Sequence, residues 1–151
     1  MADQPLELQA AMREWQAVTD DFVAMARGFD ASRLDAPSAC GDWTNRQLLI
    51  HMATGYGVRI AALQAVVDGD VATPIDADAA NAANVARLTA ASGAQIAAEM
   101  MQVRGRVLEL LSRLRAEHLS VSTVLADGAP LGEALAPLNA HDLEHASELR
   151  G

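Results

Sequence analysis

Apolar side chains recur every three or four residues along four stretches of this chain, and that period constrains the fold more than any other feature. Such spacing collects side chains on one face of an α-helix, whereas a half-buried strand needs strict alternation. The first stretch runs from about Pro5 to Gly28, with Met12, Trp15, Val18, Phe22, Met25 and Phe29 as its stripe. Pro5 suits a first helical turn and Gly28 a C-terminal stop. A loop carrying Pro37, Gly41 and Trp43 follows. The second stretch opens at Thr44-Asn45-Arg46-Gln47 and ends at Gly69. Its start fits a capping box, in which the Thr hydroxyl accepts from a first-turn amide and Gln reaches back. Leu49, Met52, Tyr56, Ile60, Leu63 and Val67 form its stripe.

Residues Asp70 to Asp78, with Pro74, read as a loop. The third stretch runs from about Ala79 to His118. Val85, Leu88, Ser92, Ile96, Met100, Val103, Val107, Leu110 and Leu114 keep the spacing across Gly93 and Gly105, which predicts one long helix. Leu119 to Pro130 reads as a connection, with a β-prone patch over Val121 to Leu125 and an Asp127-Gly128 turn signal. The fourth stretch runs from about Leu131 to Arg150, and Pro137 inside it predicts a kink.

Four amphipathic helices bury their stripes most simply as an all-α, antiparallel four-helix bundle. A length of 151 residues supports one such domain, spanning residues 1–151. Composition agrees, with 51% hydrophobic residues but only 3% aromatic. A net charge of −9 excludes nucleic-acid binding and an anionic membrane surface, both of which need a basic face. No apolar run reaches membrane-spanning length, and the acidic N-terminus shows no signal peptide. The single cysteine, Cys40, excludes an internal disulfide and suits a reducing cytosol, so a cytoplasmic protein is expected. The acidic, Ala-rich surface is compatible with a monomer or a homodimer.

Three of the four histidines fall where a metal would want them. His141 and His145 sit four apart in the last helical stretch and share a face. His51 lies in the second stretch, in line with Leu48, Gly55 and Arg59, beside the main apolar stripe. If those helices pack side by side, the three imidazoles meet in the bundle interior, where helical proteins build metal sites. Three neutral imidazoles leave coordination positions open, as catalytic sites require. The competing reading is a set of core histidines satisfied by hydrogen bonds. A His-Glu-x-x-His protease helix is a poor match, because its second position is Asp142 and only six residues follow His145.

The Trp15 helix, the segment Ser38-Ala39-Cys40-Gly41-Asp42-Trp43-Thr44 leading into Leu48-Leu49-Ile50-His51-Met52, and the terminal His141-Asp142-Leu143-Glu144-His145-Ala146 together resemble the DinB-like superfamily. The nearest branch is the N-terminal bundle of the mycothiol-dependent maleylpyruvate isomerases. The resemblance implies a divalent metal, zinc or nickel, on His51, His141 and His145. It also implies a low-molecular-weight thiol such as mycothiol, presented to an electrophile by a metal-dependent S-transferase or isomerase-like enzyme. Those isomerases carry a further C-terminal domain, whereas this sequence stops at Gly151, so maleylpyruvate isomerisation itself is not expected. Many relatives have Gln three residues after the last histidine, where this chain has Glu148. Glu148 is then a fourth ligand, a carboxylate orienting an imidazole, or a solvated helix end.

Gly55, one turn from His51, leaves room beside a metal or simply allows close packing. Arg59 meets an anionic substrate or lies at the surface. Cys40 sits ahead of a helix N-terminus, which lowers a thiol pKa, yet as the sole cysteine it reads as incidental. Trp43 reads as loop packing, and His118 as a cation suiting a helix C-terminus. The alternative to an enzyme is a non-catalytic metal- or ligand-binding bundle with a stress-related role.

Overall fold

The computed structural model describes residues 4–70, 75–121, 130–135 and 140–149, with backbone alone for Val58, Ala134 and residues 140–143. Among these residues the secondary structure is helical, and the one β-bridge pairs Pro37 with Thr44. Among the described residues eight α-helices follow in order: α1 Leu6–Arg27, α2 Ala31–Asp35, α3 Asn45–Thr54, α4 Gly57–Asp68, α5 Ala77–Arg87, α6 Gly93–Arg113, α7 Leu131–Ala134 and α8 Ala140–Glu148. A 3-10 turn, Ala116–Ser120, follows α6. The fold is an all-α bundle in which α6 packs against α1, α3 and α4. No helix among the described residues is long and apolar enough to cross a membrane.

Helix α1 matches the expected boundaries, but its buried face is rotated from the expected stripe. Leu8, Ala11, Trp15, Thr19, Phe22, Val23 and Ala26 are buried, while Met12, Val18 and Met25 are half-buried. Thr19 enters this face because its hydroxyl donates to the Trp15 carbonyl at 2.8 Å, which removes the desolvation cost of a buried hydroxyl. Trp15 is fully buried and meets the Tyr56 ring edge-on, with centroids 4.5 Å apart. That contact ties α1 to the junction of α3 and α4.

The second stretch is two helices with a two-residue hinge at Gly55-Tyr56. Both residues keep right-handed dihedrals, with ψ of 0° at Gly55 and −1° at Tyr56. The capping box is present: Gln47 N–H donates to the Thr44 hydroxyl at 3.2 Å, and Thr44 N–H to the Gln47 carbonyl oxygen at 2.9 Å.

The expected single helix from Ala79 to His118 is overturned. The chain breaks between Leu88 and Ser92, and α5 and α6 are separate helices. Ser92 is the cause. Its hydroxyl accepts from Gln95 N–H at 3.1 Å, and Gln95 accepts from Ser92 N–H at 2.8 Å, a second capping box. Ser92 thus starts a helix where its spacing had placed it inside one. Helix α6 ends at Arg113, so His118 lies in the 3-10 turn, where its Nδ1 accepts from Arg115 N–H at 2.8 Å. Replacing Ser92 with Ala should cost about 1 kcal/mol, read as a lower urea midpoint at unchanged slope. An unchanged midpoint would mean that packing alone sets the start of α6.

The β-prone patch beyond Val121, the Asp127-Gly128 turn and the Pro137 kink lie outside the described residues. The fourth stretch contributes α7 and α8, and α8 packs on α3.

Candidate metal centre

Helices α3, α5 and α8 converge on His51. Helix α5 packs along α3 and carries Asn81, whose side-chain oxygen lies 2.8 Å from His51 Nδ1. An Nδ1–H donating to that oxygen leaves the ring's lone pair on Nε2. Burial lowers the His51 pKa from its ordinary value, against the opposing bond to Asn81, and nearby His145 lowers it further. The neutral imidazole, the form that ligates a metal, is therefore favoured. Trp43 packs edge-on against His51 with centroids 5.1 Å apart, so the tryptophan read as loop packing is a wall of this site.

Helix α8 brings His145 to the same place. The two imidazoles stand nearly perpendicular, with centroids 5.0 Å apart. His145 Nδ1 lies 2.9 Å from a Glu148 carboxylate oxygen, one turn further on. Of the three roles open to Glu148, orienting an imidazole is the one this contact shows, and Glu148 is only part-exposed. A carboxylate or amide oxygen behind each imidazole is the usual support of metal-bound histidine. His141 lies on α8 one turn before His145, so the two share a face, but its side chain is outside the described residues. The donor chemistry of His51 and His145 fits a divalent ion.

Of the other sequence candidates, Gly55 flanks His51, and Arg59 lies on the Tyr56 ring. A β-carbon at Gly55 would sit 2.8 Å from the His51 carbonyl oxygen, so close backbone approach requires glycine there, and 3.9 Å from His51 Cε1, in ordinary contact with the ring edge. A cavity of about 250 Å³ lies there, lined by His51, Thr54, Gly55, Ala80, Asn81 and Asn84 among others. Arg59 is half-buried over the Tyr56 ring, 4.7 Å from its centroid. Burial lowers its pKa from the ordinary value, and no carboxylate among the described residues pairs with it. The Tyr56 hydroxyl beside it is buried with no hydrogen-bond partner among the described residues.

Cys40 is the residue that sequence reasoning misplaced. Its thiol donates to Glu148, and Cys40, His145 and Glu148 bring a sulfur, a nitrogen and an oxygen within 4.8 Å of one another. A helix N-terminus can lower a thiol pKa, but here the shift runs the other way. The bond to Glu148, burial and the negative charges of Glu148 and Glu144 all raise it. No local signal joins residues 40 and 148, because the join is a backbone contact between loop and helix end: Ala39 N–H donates to the Glu148 carbonyl at 2.8 Å.

Imidazoles backed by oxygen acceptors and converging between packed helices define a helical bundle with a candidate metal centre. The sequence profile of the DinB superfamily matches residues 14–149, and the chain belongs to that superfamily, which includes metal-binding bundle proteins. No curated protein and no solved structure matches the chain.

Proposed function

We propose that the protein holds a divalent metal, zinc or nickel, on His51, His141 and His145. In this reading it uses a low-molecular-weight thiol of the mycothiol type against an electrophile, as an S-transferase or isomerase-like enzyme. The observation that carries this is the perpendicular approach of His51 and His145 at 5.0 Å, with Asn81 and Glu148 fixing one nitrogen of each ring. A divalent ion supplies the positive charge that ionises a thiol near neutral pH. The chain's own residues do the rest. Asn81 and Glu148 hold the ring orientations, Trp43 covers one side of His51, and Gly55 keeps the neighbouring cavity open. Arg59 supplies positive charge for an anionic electrophile. The imidazole donors and the likeness to the mycothiol-dependent branch favour this reading.

Protein purified without a histidine tag should bind zinc or nickel, and His145→Ala should lose the ion, as metal analysis after dialysis would show. Full stoichiometry in His145→Ala would overturn the site. With a panel of electrophiles, the metal-loaded protein should consume thiol. Tight metal binding with no thiol consumption would overturn the enzyme and leave a non-catalytic metal-binding bundle.

A further inference from the structure

We propose that Cys40, Glu148 and His145 form a second, thiolate-containing cation site, selective for zinc-class ions, on the Nδ1 side of His145. The three donor atoms lie within 4.8 Å of one another. Zn–S and Zn–N bonds of about 2.3 and 2.0 Å put neighbouring tetrahedral donors roughly 3.3–3.8 Å apart. Each donor therefore needs to move by less than about 1 Å to share an ion. Sulfur, imidazole and carboxylate together favour zinc and its thiophilic relatives over magnesium or calcium, which take oxygen donors.

The loop that presents Cys40 is built to hold it there. Gly41 turns the chain with φ 58°, a value that side chains with a β-carbon rarely adopt. Trp43 N–H donates to the Cys40 carbonyl at 3.2 Å, closing the turn. The Ser38 hydroxyl accepts from Cys40 N–H at 3.1 Å and donates to the Trp43 carbonyl at 2.8 Å. Ala39 then pins the loop to the end of α8 through the Glu148 carbonyl. Sulfur and carboxylate thus come from two segments already joined by backbone. On ion binding the S–H bond breaks, its proton passes to the buffer and a sulfur–metal bond forms, while the His145 proton moves through solvent from Nδ1 to Nε2 and frees the Nδ1 lone pair for the ion.

This site takes His145 and its supporting carboxylate Glu148 from the imidazole set and uses neither His51 nor His141, so the two sets compete. Cobalt(II) added to the tag-free protein distinguishes them. Cys40 is the only cysteine, so a thiolate-to-cobalt charge-transfer band in the near ultraviolet can arise only from it. The wild type should show the band. Cys40→Ser and His145→Ala should lose it, and His51→Ala should keep it. Absence of the band in the wild type, its survival in Cys40→Ser, or its loss in His51→Ala with the helical circular dichroism retained would each overturn the site. The imidazole reading is tested separately: in Cys40→Ser cobalt binding should persist and disappear on adding His51→Ala, and its survival in the double variant would overturn that reading and not this one.

Discussion

Replacing Gly93 with alanine should destabilise the protein by about 3 kcal/mol or more, at or beyond the upper end of ordinary overpacking. A β-carbon there would lie 2.0 Å from the Ala26 carbonyl oxygen, and 3.1 Å from both the Ala26 carbonyl carbon and the Phe29 oxygen. All three atoms are backbone, so no side-chain rotation relieves the clash. The first turn of α6 must instead withdraw from the end of α1, the pair of helices in most extensive contact. Gly105 in the same helix is the control, because a β-carbon there meets nothing within 4 Å. Gly105→Ala should stabilise by about 0.5–1 kcal/mol, the usual gain from removing a helical glycine. Urea unfolding followed by circular dichroism reads both. Equal signs would mean that Gly93 is not a packing contact.

Truncating Trp15 to alanine should cost about 3–5 kcal/mol. The side chain is completely buried, sits edge-on to Tyr56, and reaches the Arg104 carbonyl through Nε1 at 3.4 Å. It therefore joins α1, the α3–α4 hinge and α6 in one place. In a domain with a total stability of about 5–15 kcal/mol, the loss takes a large share of the total. Trp15→Phe should recover more than half of it, since a ring still fills the space against Tyr56. The chain has two tryptophans, so Trp43 remains as a fluorescence probe in both variants. A change under about 1 kcal/mol for Trp15→Ala would mean that the core closes around the gap, contrary to the cavity cost expected of close-packed interiors.

The break at residues 88–92 shows where sequence reading stops. Ser92 fell on the apolar stripe by spacing, and periodicity alone could not separate a polar member of a helix face from a helix start. The signal was present as Ser92-Gly93-Ala94-Gln95, the same capping pattern that marked Thr44. The contact that requires glycine at position 93 is with Ala26, far away in the chain, and no pattern within α6 expresses it.

The candidate centre divides the same way. Local spacing determined that His141 and His145 share a face of α8, and that the Thr44 box starts the helix carrying His51, because both follow from helix geometry and hydrogen bonds within a few residues. Bringing His145 within 5.0 Å of His51 needed α8 to pack on α3, and fixing the His51 tautomer needed α5 to deliver Asn81. The role of Cys40 changed most. In the chain it is one thiol ahead of a helix, read as incidental. In the fold it lies against Glu148, which raises its pKa and places sulfur beside an imidazole. The sequence by itself determined that the chain is helical and that Thr44 opens the helix carrying His51, since those depend on near neighbours; where the long stretches break and which face of α1 is buried were decided by packing. Tertiary structure alone decided which polar groups meet, since burial and backbone contacts between distant segments set those distances.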